Sequence, residues 1–148
     1  MSGRILAVDP GEKRIGLALS DPTRTIASPL LVLESRSRKD NALAIAALAA
    51  QHEAEGIIIG LAVNEDGSIG PQGQRAVRLA EEIKLHTLLP VKLWDESQST
   101  MIAWEAQHAM GSNTRKSKPK IDAIAACVIL QSYLENLRSG RIENDEEK

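Results

Sequence analysis

The chain opens on an unbroken apolar run, Ile5-Leu6-Ala7-Val8, closed by Asp9-Pro10-Gly11. A continuous run, rather than an alternating one, predicts a strand buried on both faces. The apolar pattern resumes over Ile15 to Ser20 after a short gap, which predicts a hairpin. Asp21-Pro22-Thr23 marks another turn, and Ile26 to Leu33 a third strand, with Pro29 placing it at an edge or on a bulge. Then the period changes. Ser37-Arg38-Lys39-Asp40 resembles a capping box with Asp in place of Glu, and it opens an alanine- and leucine-rich helix that runs to Ala54 and is ended by Gly56. Ile57 to Gly60 predicts a fourth, buried strand. Asn64 to Gly73 holds four glycines or prolines and reads as a loop. Ala76, Leu79, Ala80 and Ile83 recur at helical spacing, and Val91 to Asp95 gives a fifth strand. A helix over Ser99 to Met110, a basic segment over Ser112 to Lys120 and a helix over Ile121 to Arg138 complete the pattern.

A meander followed by alternating helices and strands implies parallel crossovers. The predicted fold class is α/β, a mixed five-stranded sheet with helices on both faces. One domain occupies residues 1–138, followed by a flexible acidic tail over 139–148.

Composition narrows the functions. A length of 148 residues suits one domain, and 43% apolar residues suffice for its core. Aromatic residues amount to 2%, namely Trp94, Trp104 and Tyr133, which disfavours a base-stacking platform. The net charge of −2 disfavours a binder driven by bulk charge, so any grip on nucleic acid must come from local cations. Cys127 is the single cysteine, leaving no internal disulfide and no thiolate zinc cluster. No signal region follows Met1 and no apolar run is long enough to span a bilayer. The expectation is a cytoplasmic protein with no membrane partner.

Candidate chemistry gathers on carboxylates. Asp9 ends the first predicted strand, Asp95-Glu96 ends the fifth, and Asp122 lies in the first turn of the last helix. Ligands bind at the carboxyl ends of parallel strands, so these acids are predicted to converge there. Each has an ordinary explanation alone: Asp9 as a turn residue, the others as acids at helix starts. Together they repel one another unless one is protonated or a cation intervenes. Without His or Cys, the set suits magnesium or manganese and not zinc. Such ions serve phosphodiester displacement. His52, His86 and His108 show no ligand spacing and read as surface residues. Arg115, Lys116, Lys118 and Lys120 precede Asp122, and Lys13 and Arg14 follow Asp9; both sets are placed to contact phosphates. Arg36, Arg38 and Lys39 read as a surface patch at a helix start. The glycine-rich stretch Gly60 to Gly73 is either a flexible turn or a loop whose N–H groups face an anion. Cys127, Trp94 and Tyr133 read as packing residues.

Three motifs and a C-terminal ending give the chain a resemblance to the YqgF (RuvX) family, Holliday junction resolvase-like proteins also described as pre-16S rRNA nucleases. Asp9-Pro10-Gly11-Glu12-Lys13-Arg14-Ile15-Gly16, with Ser20-Asp21, resembles its opening motif. Gly60-Leu61-Ala62 with Asp66-Gly67-Ser68 resembles its central loop. Trp94-Asp95-Glu96-Ser97-Gln98-Ser99-Thr100 resembles the third, and Asp122 with Ala125-Ala126 and Ile129-Leu130-Gln131 the ending. The resemblance extends to about Leu137. It implies a ribonuclease H-like fold with strand order 3-2-1-4-5 and metal-dependent cleavage of structured nucleic acid. It puts Asp9, Glu96 and Asp122 as metal ligands, with Asp95 the other candidate for the place of Glu96. Adjacent strand residues point to opposite faces, so only one of that pair faces the site. Ala62, Ser97 and Ser99 stand where the family has Pro, Arg and Thr.

The expected function is therefore a magnesium- or manganese-dependent endonuclease acting in pre-16S rRNA maturation, with ribosomal particles as further partners. The alternatives are a DNA nuclease acting on branched junctions and a non-catalytic nucleic-acid-binding or ribosome-associated module. A nucleotide-binding protein of the actin and sugar-kinase type ranks last, because the chain is short for two lobes. The sequence is compatible with a monomer or a homodimer.

Overall fold

The computed structural model describes residues 3–95 and 121–140, with residues 121 and 122 described by backbone alone. In chain order the elements are β1 (Arg4–Pro10), β2 (Arg14–Ser20), β3 (Ala27–Glu34), α1 (Arg38–Gln51), β4 (Ala54–Leu61), α2 (Pro71–Lys84), β5 (Val91–Asp95) and α3 (Ile121–Arg138). The helix expected over Ser99 to Met110 lies outside the described residues.

The strands form one five-stranded sheet in the order β3-β2-β1-β4-β5, as expected. β2 runs antiparallel to both β1 and β3. β4 runs parallel to both β1 and β5. It follows that β1, β3, β4 and β5 point the same way, and their carboxyl ends share one end of the sheet.

Alternation divides the strands between two cores. Leu6, Val8, Ile15, Leu17, Ile57 and Ile59 pack with Ala42, Ile45 and Ala49 of α1 and with Ala76, Leu79 and Ile83 of α2. Ile5, Ala7, Ala18 and Ile58 pack with Ala126, Cys127, Leu130, Tyr133 and Leu134 of α3. β1 and β4 are therefore covered on both sides, which is why their sequences read as unbroken apolar runs. Burying one such Leu or Ile side chain contributes roughly 1.5–3 kcal/mol, so each face of β1 matters to stability. α3 is also tied by polar contacts. Buried Gln131 donates from Nε2 to the Thr25 carbonyl at 2.9 Å and accepts the Ala27 N–H at 3.0 Å.

β3 is an edge strand with an irregular register. Leu17 pairs with Leu31 but Ala18 pairs with Pro29, leaving Leu30 as the extra residue of a bulge beside the proline. α1 begins as its sequence predicts: Ser37 Oγ accepts the Asp40 N–H at 3.0 Å. Asn41 completes the cap, accepting the Arg36 N–H at 2.8 Å and donating to Ser35 Oγ at 3.2 Å.

The boundary between α1 and β4 corrects the sequence reading. The helix stops at Gln51, and Glu53 turns the chain in the left-handed region at φ +57°. Ala54 and Gly56 already belong to β4, in register with Arg4 and Ile5 of β1. Pairing with the central strand overrides the helical preference of Ala54. Gly56 answers to packing rather than to helix termination, since a Cβ there would lie 3.3 Å from Ile5 Cδ1.

Candidate metal and nucleic-acid site

Asp9 is half-buried next to the carboxyl end of β1, the centre of the sheet. It follows Ile5 and Ala7 in the alternation, which places it on the α3 face. Its antiparallel partner is Gly16 of β2. On the other side Val8 pairs with Ile59, so the next step of that register brings Gly60 of β4 alongside. Neither neighbour carries a side chain, so the floor around this carboxylate is backbone, which suits close approach of a ligand.

The β1–β2 turn beyond Asp9 is tight. A Cβ on Gly11 would lie 2.2 Å from the Arg14 carbonyl oxygen, so only glycine fits. The turn leaves Lys13 and Arg14 exposed at the Asp9 end of the sheet.

Asp95 ends β5 at the same end but on the other face. It pairs with Leu61, which packs against the core under α1 and α2. Trp94, its neighbour, packs against the α3 core, makes an edge-to-face contact with Tyr133 at 5.4 Å and donates from Nε1 to Ser132 Oγ at 3.3 Å. Asp122 lies in the first turn of α3, the helix that covers the Asp9 face, and its side chain is outside the described residues. Glu96, Arg115, Lys116, Lys118 and Lys120 also lie outside them. Among the described residues no three metal-ligating side chains come together.

The glycine-rich stretch folds on itself. Asp66 Oδ1 accepts the Ser68 N–H at 2.9 Å and the Ser68 hydroxyl at 2.6 Å, and these bonds hold its pKa below the ordinary carboxylate value. The Asn64 N–H donates to the Ser68 carbonyl at 2.8 Å and the Gly67 N–H to the Asn64 carbonyl at 2.9 Å. Gly67 sits at φ +88°, the left-handed conformation this turn needs. Three N–H groups are thus spent inside the loop, which favours an ordered turn over an anion cradle.

Ser20-Asp21 builds the β2–β3 turn, as the turn signal at Asp21-Pro22-Thr23 predicts, at the end of the sheet away from Asp9. Ser20 Oγ accepts the Ile5 N–H at 2.8 Å. Asp21 Oδ1 accepts the Thr25 and Ile26 N–H groups at 2.8 and 2.9 Å, and Oδ2 accepts from the N–H and hydroxyl of Thr23. Burial opposes ionisation of Asp21, but bonds from Ile26, Thr23 and Thr25 outweigh it and bring its pKa down to about 2. Arg24, buried in the same turn at φ +59°, donates from Nε to the Gly3 carbonyl at 2.7 Å. Cys127 is buried in the α3 core, the packing role expected of it. His86 contacts Glu82 one helical turn back at 3.1 Å, and His52 caps the end of α1 through its backbone.

This topology, with a half-buried carboxylate at the end of its central strand, defines a ribonuclease H-like fold of the resolvase class. Two solved structures share it: Thermus thermophilus RuvC in complex with a Holliday junction substrate, at TM-score 0.62, 12% identity, 95% of this chain and 98% of that one, and the fowlpox virus resolvase with Holliday junction DNA, at TM-score 0.55, 15% identity, 90% and 98%. The chain belongs to the RuvX family, whose model, described as Holliday junction resolvase, matches residues 3–136. It is 37% identical over 137 residues to a protein of Thermoanaerobacter pseudethanolicus named "Putative pre-16S rRNA nuclease", covering 92% of this chain and 99% of that one. A protein of the same name from Anaeromyxobacter sp. is 39% identical over 132 residues, 89% of this chain and 96% of that one. By family the chain is a nuclease, a hydrolase of phosphodiester bonds, and nucleases of this fold use divalent metal. Among the described residues no helix is long and apolar enough to cross a membrane.

Proposed function

We propose that this chain is a magnesium- or manganese-dependent endonuclease that matures the 5′ end of pre-16S rRNA in the cytoplasm, on ribosomal precursor particles. The substrate is supported by the relatives that carry that name at 37% and 39% identity over nearly their whole length. The observation that carries the chemistry is Asp9, a carboxylate on the α3 face at the shared carboxyl end of the parallel strands, floored by glycine on both sides.

In this reading Asp9, Glu96 and Asp122 hold the cation. An all-oxygen donor set suits a hard divalent ion. Alternation along β5 favours Glu96 over Asp95, because Asp95 shares a face with Leu61 and the α1/α2 core. When bound, the ion polarises the phosphate and activates water. The chain's own part is to fix the geometry: the central strand holds Asp9 rigid, and the first turn of α3 supplies Asp122. Lys13 and Arg14, together with Arg115, Lys116, Lys118 and Lys120, hold the phosphates that flank the scissile bond. Few aromatics are available, so binding follows shape and backbone rather than base identity.

The test compares precursor rRNA with four-way DNA junctions, each with manganese, magnesium or chelator, for the parent protein and for Asp9→Asn. Metal-dependent cleavage of the rRNA that vanishes in the folded variant is expected. Preferential cleavage of the junction would make this a DNA resolvase. Binding without cleavage, indifferent to chelation, would leave a non-catalytic module.

A further inference from the structure

We propose that the β3–α1 junction is a second phosphate-backbone contact, a basic ridge formed by Arg36, Arg38 and Lys39 that continues the Lys13-Arg14 turn; the proposal rests on the nuclease reading above. In sequence these three cations are a surface patch at a helix start, more than twenty residues from Asp9. The topology changes that. β3 is parallel to β1, and its carboxyl-terminal residue Glu34 pairs with Arg14, while Gly16, two residues on, pairs with Asp9. The segment leaving β3 therefore emerges at the Asp9 end of the sheet. A hydrogen bond from the Ser35 N–H to the Lys13 carbonyl at 2.9 Å joins it to the β1–β2 turn.

The ridge is fixed in place as well as charged. Asn41, itself buried, accepts the Arg36 N–H at 2.8 Å and donates to Ser35 Oγ, and Ser37 caps α1. Arg36, Arg38 and Lys39 are all exposed, as are Lys13 and Arg14. The acids on the same segments are Glu12, Glu34 and Asp40, so five cations face three carboxylates and the balance is positive. β3 lies two strands from β1, roughly 10 Å across the sheet at about 4.8 Å per strand. Along a duplex that is about three steps of 3.4 Å, the reach of phosphates next to the one being cleaved. A locally positive ridge also accounts for how a chain of net charge −2 holds a polyanion.

The experiment measures binding of a labelled four-way DNA junction and of a labelled structured rRNA fragment by anisotropy over about 50–200 mM salt. It uses the Asp9→Asn background, so that substrate persists. R36Q/R38Q/K39Q is compared with its parent and with K84Q/R138Q, which removes exposed cations at the ends of α2 and α3. The triple variant should keep its fold, because Asn41 bonds the backbone of Arg36 and not its side chain; thermal melting checks this. We expect at least a tenfold loss of affinity for the triple variant and a salt dependence shallower by about two units. The control should stay within about twofold of its parent. If the triple variant matches its parent, or the control weakens equally, the ridge is overturned while the nuclease reading stands. If the parent binds neither nucleic acid, both fall.

Discussion

Asp9, next to last in β1, and Asp95, last in β5, sit at the same end of the sheet but on opposite faces of it. Asp9 continues the Ile5–Ala7 row beneath α3, whereas Asp95 pairs with Leu61, which belongs to the α1/α2 core. The two carboxylates therefore serve different surroundings, and the prediction separates Asp95 from its neighbour. Glu96→Gln should lower metal-dependent cleavage well beyond the 10–100-fold that supporting groups around a metal typically cost, while Asp95→Asn should stay within roughly tenfold of the parent. Single-turnover cleavage at saturating manganese measures both; a more severe defect in the Asp95 variant would reverse the assignment.

Asp21 gives stability an acid-sensitive component. Its pKa is about 2 in the folded chain, against about 3.9 in an unfolded one. The lowered value means the folded state favours the carboxylate, so the stabilisation is fully present above about pH 4 and is lost as the pH falls toward 2. Part of the shift is screened by solvent, leaving about 1–2 kcal/mol. Asp21→Asn should be destabilised by that amount at pH 7, and urea melts of the variant and its parent should converge as pH approaches 2. A constant gap across that range would mean that ionisation contributes nothing.

Much of this fold is legible in sequence because it is local or periodic. The doubly buried β1 shows as Ile5-Leu6-Ala7-Val8, and the bounds of α3 follow from the apolar pattern between Ile121 and Arg138. What stayed hidden depends on contacts between distant residues. Gly56 resembles a helix stop until β4 pairs with β1 and draws Ala54 into the sheet. Burial of Arg24 depends on the Gly3 carbonyl, which no local pattern around residue 24 announces. For the site, the sequence alone does not say on which face Asp95 lies; that depends on which core Leu61 and Trp94 join. The same applies to Arg36, Arg38 and Lys39, whose nearness to Asp9's end follows from the β2–β3 register.

Gln131 shows what a buried polar side chain contributes here. It fills the space between α3 and the start of β3, and it satisfies both the Ala27 N–H and the Thr25 carbonyl. Gln131→Leu keeps much of the volume but leaves both backbone groups without their partner, at about 1–3 kcal/mol each. A fall of roughly 2–6 kcal/mol in unfolding free energy, with an unchanged denaturant slope, is expected. A neutral substitution would show that water replaces the side chain.

Gly11 and Gly73 are required by close contacts, though their surroundings differ. Alanine is the better helix former by about 1 kcal/mol, so propensity alone predicts that Gly73→Ala in α2 stabilises the chain. Yet a Cβ at residue 73 would lie 2.2 Å from Ile69 Cγ2 and 2.7 Å from the Ala62 carbonyl oxygen. Ile69 can turn aside, but the Ala62 carbonyl is backbone, and overpacking of this kind typically costs about 1–3 kcal/mol. The clash should win, lowering the melting temperature and displacing the loop that joins β4 to α2. At Gly11 the obstacle is the Arg14 carbonyl at 2.2 Å, with no side chain to yield. Gly11→Ala should therefore reopen the β1–β2 turn and shift Lys13 and Arg14 away from Asp9. Its signature is weaker binding to nucleic acid together with lower stability, whereas Gly73→Ala, farther from those cations in the chain, should lose stability with a smaller change in binding. Thermal melts and anisotropy on the two variants separate these outcomes, and a stabilised Gly73→Ala would show that the loop yields more easily than its contacts imply.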